Sequence, residues 1–272
     1  MRAKCLWQVI TVTLLLLSCK KEQTPVVVPP PVEKPVLLKD IVIPNLPSPY
    51  YHFEYNTTGD ITAVSFASGL RMYDVLRSDN RISEVRNNTA VNKDRLQYIY
   101  DNTGKVSTVK YINEAGTEFR RCFLTYTGGQ LRLIEWERKL NPGFAMERSI
   151  AFVYQADGNV LEITDHLFPV PGQNEATYVN RFEQYDDKVN TDGFSLIHDQ
   201  NDHLLLLPGV QWQKNNPGKV IHNGNGGGYA IDYTYTYNDR KAPLTRTGDA
   251  IFTGGPNAGQ RWQTSATYSY YP

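Results

Sequence analysis

The sequence predicts an all-β protein of serial antiparallel β-hairpins that form one large curled, twisted sheet or an open barrel. Three observations predict this fold. Aromatic and polar residues alternate in short segments, Gly- or Asn-containing turns follow those segments, and β-branched residues resume after each turn. Residues 96–111 are the clearest example, because alternating Tyr98 and Tyr100 lead into the turn Asp101-Asn102-Thr103-Gly104.

The unit after the turn recurs in five copies. Each copy reads Gly or Asn, any residue, an aliphatic residue, two further residues and a second aliphatic residue. The first aliphatic residues of the five copies are Ile61, Ile82, Val106, Leu131 and Val160. A regular strand would turn two residues with this spacing to opposite faces, so either a helical turn or a β-bulge must follow the Gly. Thr, Val, Ile and Tyr enrichment favours the bulge, which would also curl the sheet.

The repeated unit is similar to a known pattern. Residues 98–109 read Tyr-Ile-Tyr-Asp-Asn-Thr-Gly-Lys-Val-Ser-Thr-Val, which resembles the YD, or RHS-like, repeat of secreted and surface proteins. Residues 182–190, 213–217 and 233–243 are similar to elements of Bacteroidetes-type outer-membrane lipoproteins with such repeats, a family largely without known function. The resemblance implies a repetitive β-fold and an envelope location, and it implies no activity.

The N-terminus predicts secretion and lipidation. Residues 1–18 combine a basic start with a short apolar segment, as in a cleaved signal peptide. Leu16-Leu17-Ser18-Cys19 resembles the lipobox of bacterial lipoproteins, in which the cysteine becomes the first residue and carries acyl chains such as palmitate. Lys20 and Lys21 resemble the residues of lipoproteins sorted to the outer membrane, on its periplasmic or surface side.

The remaining chain divides into a tether and one domain. Residues 19–48 are rich in proline, which favours an extended polyproline II spacer. Residues 49–272 are expected to form a single β-rich repeat domain. Within it, residues 175–185 are either a strand or a helix, with a strand preferred. Residues 229–237 and 263–271 are expected to pair as a terminal hairpin that closes the sheet.

Charge and cysteine content limit the possible partners. Lys plus Arg and Asp plus Glu both number 28, so no net field favours a nucleic acid. The expected membrane contact is the lipid on Cys19, and a glycan or an envelope protein remains as a further partner. With Cys5 in the signal peptide, Cys122 has no cysteine to pair with, and its apolar surroundings predict a buried side chain.

The sequence contains few motifs that indicate chemistry. Residues 198–203 read His-Asp-Gln-Asn-Asp-His, but neither zinc nor EF-hand spacing is satisfied, so a polar turn is preferred to a metal site. Residues 223–228 are rich in glycine but lack the Lys-Ser/Thr pair of a P-loop. We therefore expect no metal and no cofactor.

Two function classes remain, and an enzyme is the less favoured one. The first is a non-catalytic binding or scaffold module of the cell envelope, or an assembly partner at the outer membrane. The second is a glycan-binding or glycan-processing protein of the cell surface. The candidate ligand-stacking residues are Trp136, Trp212 and Trp262. The candidate carboxylates for glycan processing are Glu135, Glu137, Glu162 and Asp165, although solvated charges on the wet face of a sheet explain Glu135 and Glu137 better.

Overall fold

The protein is a closed β-barrel of sixteen antiparallel strands. The structure is a computed structural model that describes residues 35–193 and 206–272. The strands are β1 (Leu38–Val42), β2 (Tyr51–Tyr55), β3 (Ile61–Phe66), β4 (Arg71–Ser78), β5 (Arg81–Asn87), β6 (Arg95–Tyr100), β7 (Val106–Ile112), β8 (Glu118–Thr127), β9 (Gln130–Lys139), β10 (Phe144–Tyr154), β11 (Val160–Leu167), β12 (Ala176–Tyr185), β13 (Pro217–Gly224), β14 (Gly227–Tyr237), β15 (Pro243–Phe252) and β16 (Arg261–Tyr270). Each strand pairs with its neighbours in sequence, so the predicted all-β fold of serial hairpins is confirmed.

The barrel closes through its first and last strands. β1 pairs with β2 on one side and with β16 on the other, where Leu38 lies opposite Tyr270. The sheet is therefore a closed barrel and not an open one. β1 lies inside the segment expected to be a tether, since the compact unit begins at Pro35 and not at residue 49. The predicted signal peptide, Cys19 and most of the predicted tether lie outside the described residues.

The predicted bulge is present in all five copies of the repeat. In the hairpin of β6 and β7, Tyr100 pairs with Val106 and Ile99 pairs with Thr108, so Ser107 is an extra residue. This insertion returns Val109 to the interior, and both valines are fully buried. The residues inserted in the other four copies are Thr62, Ser83, Arg132 and Leu161.

Side-chain hydrogen bonds fix the turns between these strands. Asp101 Oδ1 accepts hydrogen bonds from Thr103 Oγ1 at 2.7 Å, from Thr103 N at 2.8 Å and from Lys105 N at 3.0 Å. These donors, the Thr103 hydroxyl first, lower the pKa of Asp101. Gly104 has a φ of 83°, which glycine adopts without steric cost. We call the end of the barrel that carries these turns the turn end, and the opposite end the far end.

Tyrosines at the turn end join successive hairpins. Tyr100 Oη donates to the carbonyl of Ile82 at 2.8 Å. This bond joins β6 to β5 at the turn end, where no turn connects these two strands. The same bond joins Tyr55 to Leu38, Tyr185 to Val160, Tyr235 to Pro217 and Tyr270 to Pro243. Tyr126 is an exception, because its buried hydroxyl has no hydrogen-bond partner. This repeated hydrogen bond joins one hairpin to the next, and we call it a tyrosine staple.

The later strands agree with the sequence analysis in part. Residues 175–185 contain β12, so the preference for a strand is confirmed. The two segments expected to form a terminal hairpin are both strands, β14 and β16, but they are not neighbours. β15 lies between them and pairs with each. Its Gly248 and exposed Leu244 weaken the aromatic alternation that marks the other two strands.

The outer face of the barrel carries charged side chains that pair between neighbouring strands. Glu137 lies 2.7 Å from Arg121, and Glu162 lies 2.8 Å from Arg181. Similar pairs join Lys110 to Glu118 and Lys219 to Asp232, and His52 Nδ1 lies within hydrogen-bond distance of Asp40 Oδ1, at 2.6 Å. None of the described residues forms a helix long and apolar enough to cross a membrane.

The interior differs between two parts of the wall. Aliphatic and aromatic side chains of β2–β11, which we call the apolar half, pack into one cluster that includes fully buried Val85, Ile134 and Ile150. Cys122 belongs to this cluster, as predicted, and burial raises the pKa of its thiol to about 12. β12–β16, which we call the polar half, turn tyrosine, histidine, asparagine and arginine inward.

Candidate ligand-binding site

The polar half encloses a cavity of about 490 Å³. Two residues of the apolar half, Arg148 of β10 and Asp165 of β11, reach its edge. The remaining walls are lined by Ile43, Tyr178, Asn180, Phe182, Asn190, Asp192, Gln213, Asn216, Pro217, Val220, His222, Tyr229, Ile231, Tyr233, Tyr235, Arg246, Thr264 and Tyr268. The volume lies in the range of about 300–1,000 Å³ that is typical of small-molecule sites.

Described residues of the connection between β12 and β13, within 186–193 and 206–216, form the floor of the cavity at the turn end. Asp192 of this connection is buried, and its Oδ2 accepts hydrogen bonds from Arg246 Nη1 at 2.7 Å and from Tyr268 Oη at 2.8 Å. Burial raises the pKa of Tyr268, and the negative charge of Asp192 raises it further. Burial alone would lower the pKa of Arg246, but the negative charge of Asp192 raises it. Arg246 therefore stays charged and Tyr268 stays protonated.

Asparagines hold this connection in place. Asn159 Oδ1, at the turn between β10 and β11, accepts hydrogen bonds from the backbone N–H groups of Lys214 and Asn215 at 3.2 and 2.9 Å. Asn216 Nδ2 donates to the Asp186 carboxylate at 3.2 Å, which closes the base of the connection. The segments around Asp186 and Asn216 thus meet to build the floor.

An aromatic row lines the cavity toward the far end. His222 stacks between Tyr178 and Tyr229, with ring centroids 5.8 and 4.5 Å away. His222 Nδ1 lies 2.8 Å from Asn180 Oδ1, and burial lowers the pKa of the imidazole, so the ring is neutral at pH 7 and donates to the amide oxygen. The three rings are only half-buried, whereas the floor is buried, so the cavity opens toward the far end.

Two glycines leave space for aromatic rings that line the cavity. A Cβ atom on Gly224 would lie 2.3 Å from the ring of Tyr178, and one on Gly248 would lie 2.7 Å from the ring of Tyr233. Contacts this short do not occur between real atoms, so larger residues would push both rings into the cavity. These glycines serve close approach and not a turn.

A second ion pair faces the cavity from the apolar half. Arg148 binds Asp165 through two hydrogen bonds, from Nε to Oδ1 at 2.8 Å and from Nη2 to Oδ2 at 2.6 Å. The guanidinium also lies over the ring of Trp136, 5.6 Å from its centroid. Such a bidentate pair is rigid and leaves no unbalanced charge.

The structure separates the three candidate tryptophans. Trp136 is fully buried in the apolar half, where its Nε1 donates to Tyr111 Oη at 3.0 Å. Trp212 is buried in the β12–β13 connection and packs against Phe152 at 5.6 Å. Trp262 is half-buried and packs against Tyr229 of the aromatic row at 5.6 Å. Two of the three therefore contact a residue that lines the cavity: Trp262 packs against Tyr229, and Trp136 lies under the guanidinium of Arg148.

The candidate carboxylates are also kept apart. Glu135 and Glu137 flank inward-facing Trp136 and therefore project from the outer face, and Glu162 pairs there with Arg181. Asp165 faces the cavity but is bound by Arg148. No group of three or more His, Cys, Asp or Glu side chains in the described ranges could hold a metal ion, and the motif at residues 198–203 lies outside them.

Most residues of the cavity have no recognisable signature in the sequence. Asn180, His222 and Arg246 come from three different strands, and no spacing along the chain brings them together. One signal was present in the sequence. In β12–β16, polar residues recur at every second position, in the places where the other strands carry their inward-facing apolar residues. Polar residues on the dry face of a strand indicate a lined cavity.

Known proteins share the fold of this chain. No protein-family model matches the chain, and no curated protein does. Among solved structures, a porin-like protein from Bacteroides uniformis ATCC 8492 is similar, with a TM-score of 0.58 and 14% sequence identity. The similarity covers 87% of this chain and 95% of that protein. At this identity the likeness establishes the fold alone, and that fold is an all-β barrel closed by sixteen strands.

Proposed function

We propose that this protein is a lipid-anchored envelope protein that binds a small polar ligand inside its barrel without chemically changing it. The observation that carries the proposal is the polar cavity. A barrel whose interior were only structural would be filled throughout, as the apolar half is. Instead, β12–β16 leave about 490 Å³ lined by groups that form hydrogen bonds.

The outer face argues for attachment to a membrane and against insertion into it. Membrane-spanning barrels present an apolar band to lipid and a polar interior. Here the outward positions carry ion pairs such as Arg121–Glu137, while the interior of the apolar half is dry. A barrel of this kind stands in water, and a lipid on Cys19 is the simplest way to hold it at the envelope. The porin-like neighbour supports an envelope location.

Binding without catalysis is favoured by the state of the carboxylates. Hydrolysis of a glycan needs two carboxyl groups placed on either side of the scissile bond. Two acidic residues belong to the described lining of the cavity, Asp165 and Asp192, and each is bound by an arginine. Both carboxylates are thus held in ion pairs within the wall of the cavity.

The test uses the full chain and a mixed library of sugars, amino acids, nucleosides and short peptides. Thermal shifts are measured for the native protein and for two variants of β16. Thr264→Trp fills the cavity, and Gln263→Trp places the same ring on the exposed outer face. We expect at least one ligand that stabilises the native protein and Gln263→Trp but not Thr264→Trp. A library without such a ligand would overturn the binding role.

The anchor is tested separately. Cys19→Ser should move the protein from the membrane fraction to the soluble fraction and abolish labelling with a palmitate analogue. Retention of the variant in the membrane fraction would contradict the lipid anchor and leave the cavity proposal standing.

A second function, docking of an envelope protein, is favoured by one observation. Exposed apolar side chains lie in three adjacent connections at the far end, namely Leu46, Leu70 and Val91, with 43%, 79% and 96% of their surface accessible. Exposed apolar residues that share one end of the barrel are candidates for an interaction surface. Leu70→Ser combined with Val91→Ser should abolish cross-linking to an envelope protein and leave ligand binding unchanged.

A further inference from the structure

We infer that the ligand of the cavity is an uncharged sugar of one or two rings. The inference rests on the proposed binding function and names its ligand class. It depends on three properties of the cavity: balanced charge, polar groups that both donate and accept hydrogen bonds, and aromatic rings that are already stacked on one another.

The described residues that line the cavity carry no excess charge. Four ionised side chains are among them, and they form two pairs, Arg148 with Asp165 and Arg246 with Asp192. His222 adds no charge near pH 7, because burial lowers its pKa. A site for a phosphate or carboxylate group carries surplus cations, and a site for an amine carries surplus acids. This cavity carries neither, so a neutral ligand fits it best.

The uncharged polar groups suit hydroxyl groups. Asn180 and Thr264 line the cavity, and a carboxamide can both donate and accept hydrogen bonds. Asn190, Gln213 and Asn216 also line it, but their amides already hydrogen-bond to Asn216, Tyr185 and Asp186, respectively. A sugar hydroxyl has the same dual capacity as a carboxamide, so Asn180, Thr264 and the paired ions can satisfy the hydroxyls of a bound sugar. The dual capacity also allows the site to replace the water that a sugar loses on entry.

The apolar part of the wall accommodates the C–H faces of a sugar ring. Phe182, Val220 and Ile231 line the cavity beside the polar groups. Burial of C–H surface against such side chains contributes favourably, whereas a ligand that is polar on every side would gain nothing from them.

The aromatic row argues against a nucleoside. A flat base is usually held between or upon exposed ring faces. Here the face of His222 toward Tyr229 is covered at 4.5 Å, and its other face is covered by Tyr178 at 5.8 Å. No slot remains between these rings for a base. The ring edges of the row and the hydroxyl groups of its two tyrosines can contact a ligand, and such hydroxyl groups can hydrogen-bond to the hydroxyls of a sugar.

The experiment titrates the full chain by calorimetry, in a detergent without a sugar headgroup. The neutral probes are glucose, N-acetylglucosamine, maltose and cellobiose. The charged probes are glucuronate and glucosamine, and the nucleoside probe is uridine. We expect binding of at least one neutral sugar, weakened at least tenfold by Thr264→Trp and unchanged by Gln263→Trp.

A charge variant tests the reason for the preference. Asn180→Lys adds one positive charge inside the cavity, and Thr177→Lys adds the same charge on the exposed outer face of β12. If charge balance excludes anions, Asn180→Lys should gain binding of glucuronate and Thr177→Lys should not. Equal behaviour of the two variants would overturn the argument from charge balance.

The outcomes separate this inference from the proposed function. Preferred binding of glucuronate, glucosamine or uridine to the native protein, lost in Thr264→Trp, would overturn the neutral sugar and leave a binding cavity. Sugar binding that Thr264→Trp does not weaken would place the sugar elsewhere and also overturn the inference. Failure of every probe here, together with failure of the mixed library, would overturn both.

Discussion

The two halves of the barrel share one framework and differ in what they enclose. Tyrosine staples join hairpins in both, as Tyr100 to Ile82 in the apolar half and Tyr235 to Pro217 in the polar half show. Inside, β2–β11 present fully buried valines and isoleucines, whereas β12–β16 present Asn180, His222 and other polar residues around a cavity. The framework thus tolerates either interior, and the inward residues decide whether a region is core or site.

The largest difference between the halves is expected for two tryptophans. Trp136→Ala removes a fully buried side chain of the apolar half and should lower the free energy of unfolding by about 3–5 kcal/mol. Trp262→Ala removes a half-buried ring beside the cavity and should cost about 1 kcal/mol. Urea denaturation measures both values. Equal losses would mean that the two halves are packed alike.

The floor of the cavity should be the most sensitive part of the polar half. Asp192→Asn removes the negative partner of Arg246 and should lower the free energy of unfolding by about 1–3 kcal/mol. Asp187→Asn, an exposed change in the same connection, is the matched control and should leave stability unchanged. An Asp192 variant as stable as the Asp187 variant would show that the floor is not held by this pair.

The staples can be tested with a natural control. Tyr100→Phe removes a hydroxyl that donates to Ile82 and should cost about 0.5–1.5 kcal/mol. Tyr126→Phe removes the equivalent hydroxyl where it has no partner and should be neutral or stabilising. Chemical denaturation of the two variants measures the difference. A greater loss for Tyr126→Phe would contradict the role assigned to the staple.

The smallest expected effect is a pH dependence confined to the polar half. Because the pKa of His222 is lower in the folded protein than the usual 6.5, its contribution is complete above pH 6.5 and is lost as the pH falls through the folded value. NMR titration of the imidazole should give a midpoint below 6.5. His222→Gln should remove this part of the pH dependence of unfolding, and a midpoint at or above 6.5 would contradict the burial of the ring.

The sequence predicts the framework because the framework is local. The three-residue spacing of Val106 and Val109 has one explanation in a strand, and the register confirms it. The turn residues and the tyrosines lie within the same few positions of every copy. Closure was not predictable in this way, since β1 stands among prolines and pairs with a strand at the other end of the chain.

The site was less predictable because it depends on residues distant in sequence. Asp192 meets Arg246 and Tyr268 only after the β12–β13 connection folds onto the barrel. Residue type alone also does not reveal position: Trp136 and Trp212 had the chemistry of a sugar platform, yet both are buried. A more informative signal than residue type was the position of polar residues at the inward-facing sites of β12–β16.

Closure of the barrel sets the order in which the protein can mature. Leu38 and Tyr270 are paired although 232 positions separate them, from 38 to 270. Each hairpin forms from neighbouring segments, but β1 and β16 can pair only after β16 has been synthesised. Bringing two segments so distant in sequence together is slow. Until then β1 and β15 are unpaired edges, on which another chain could add a strand. A C-terminal deletion of β16 would make that transient state permanent and would convert a maturation intermediate into a seed for aggregation.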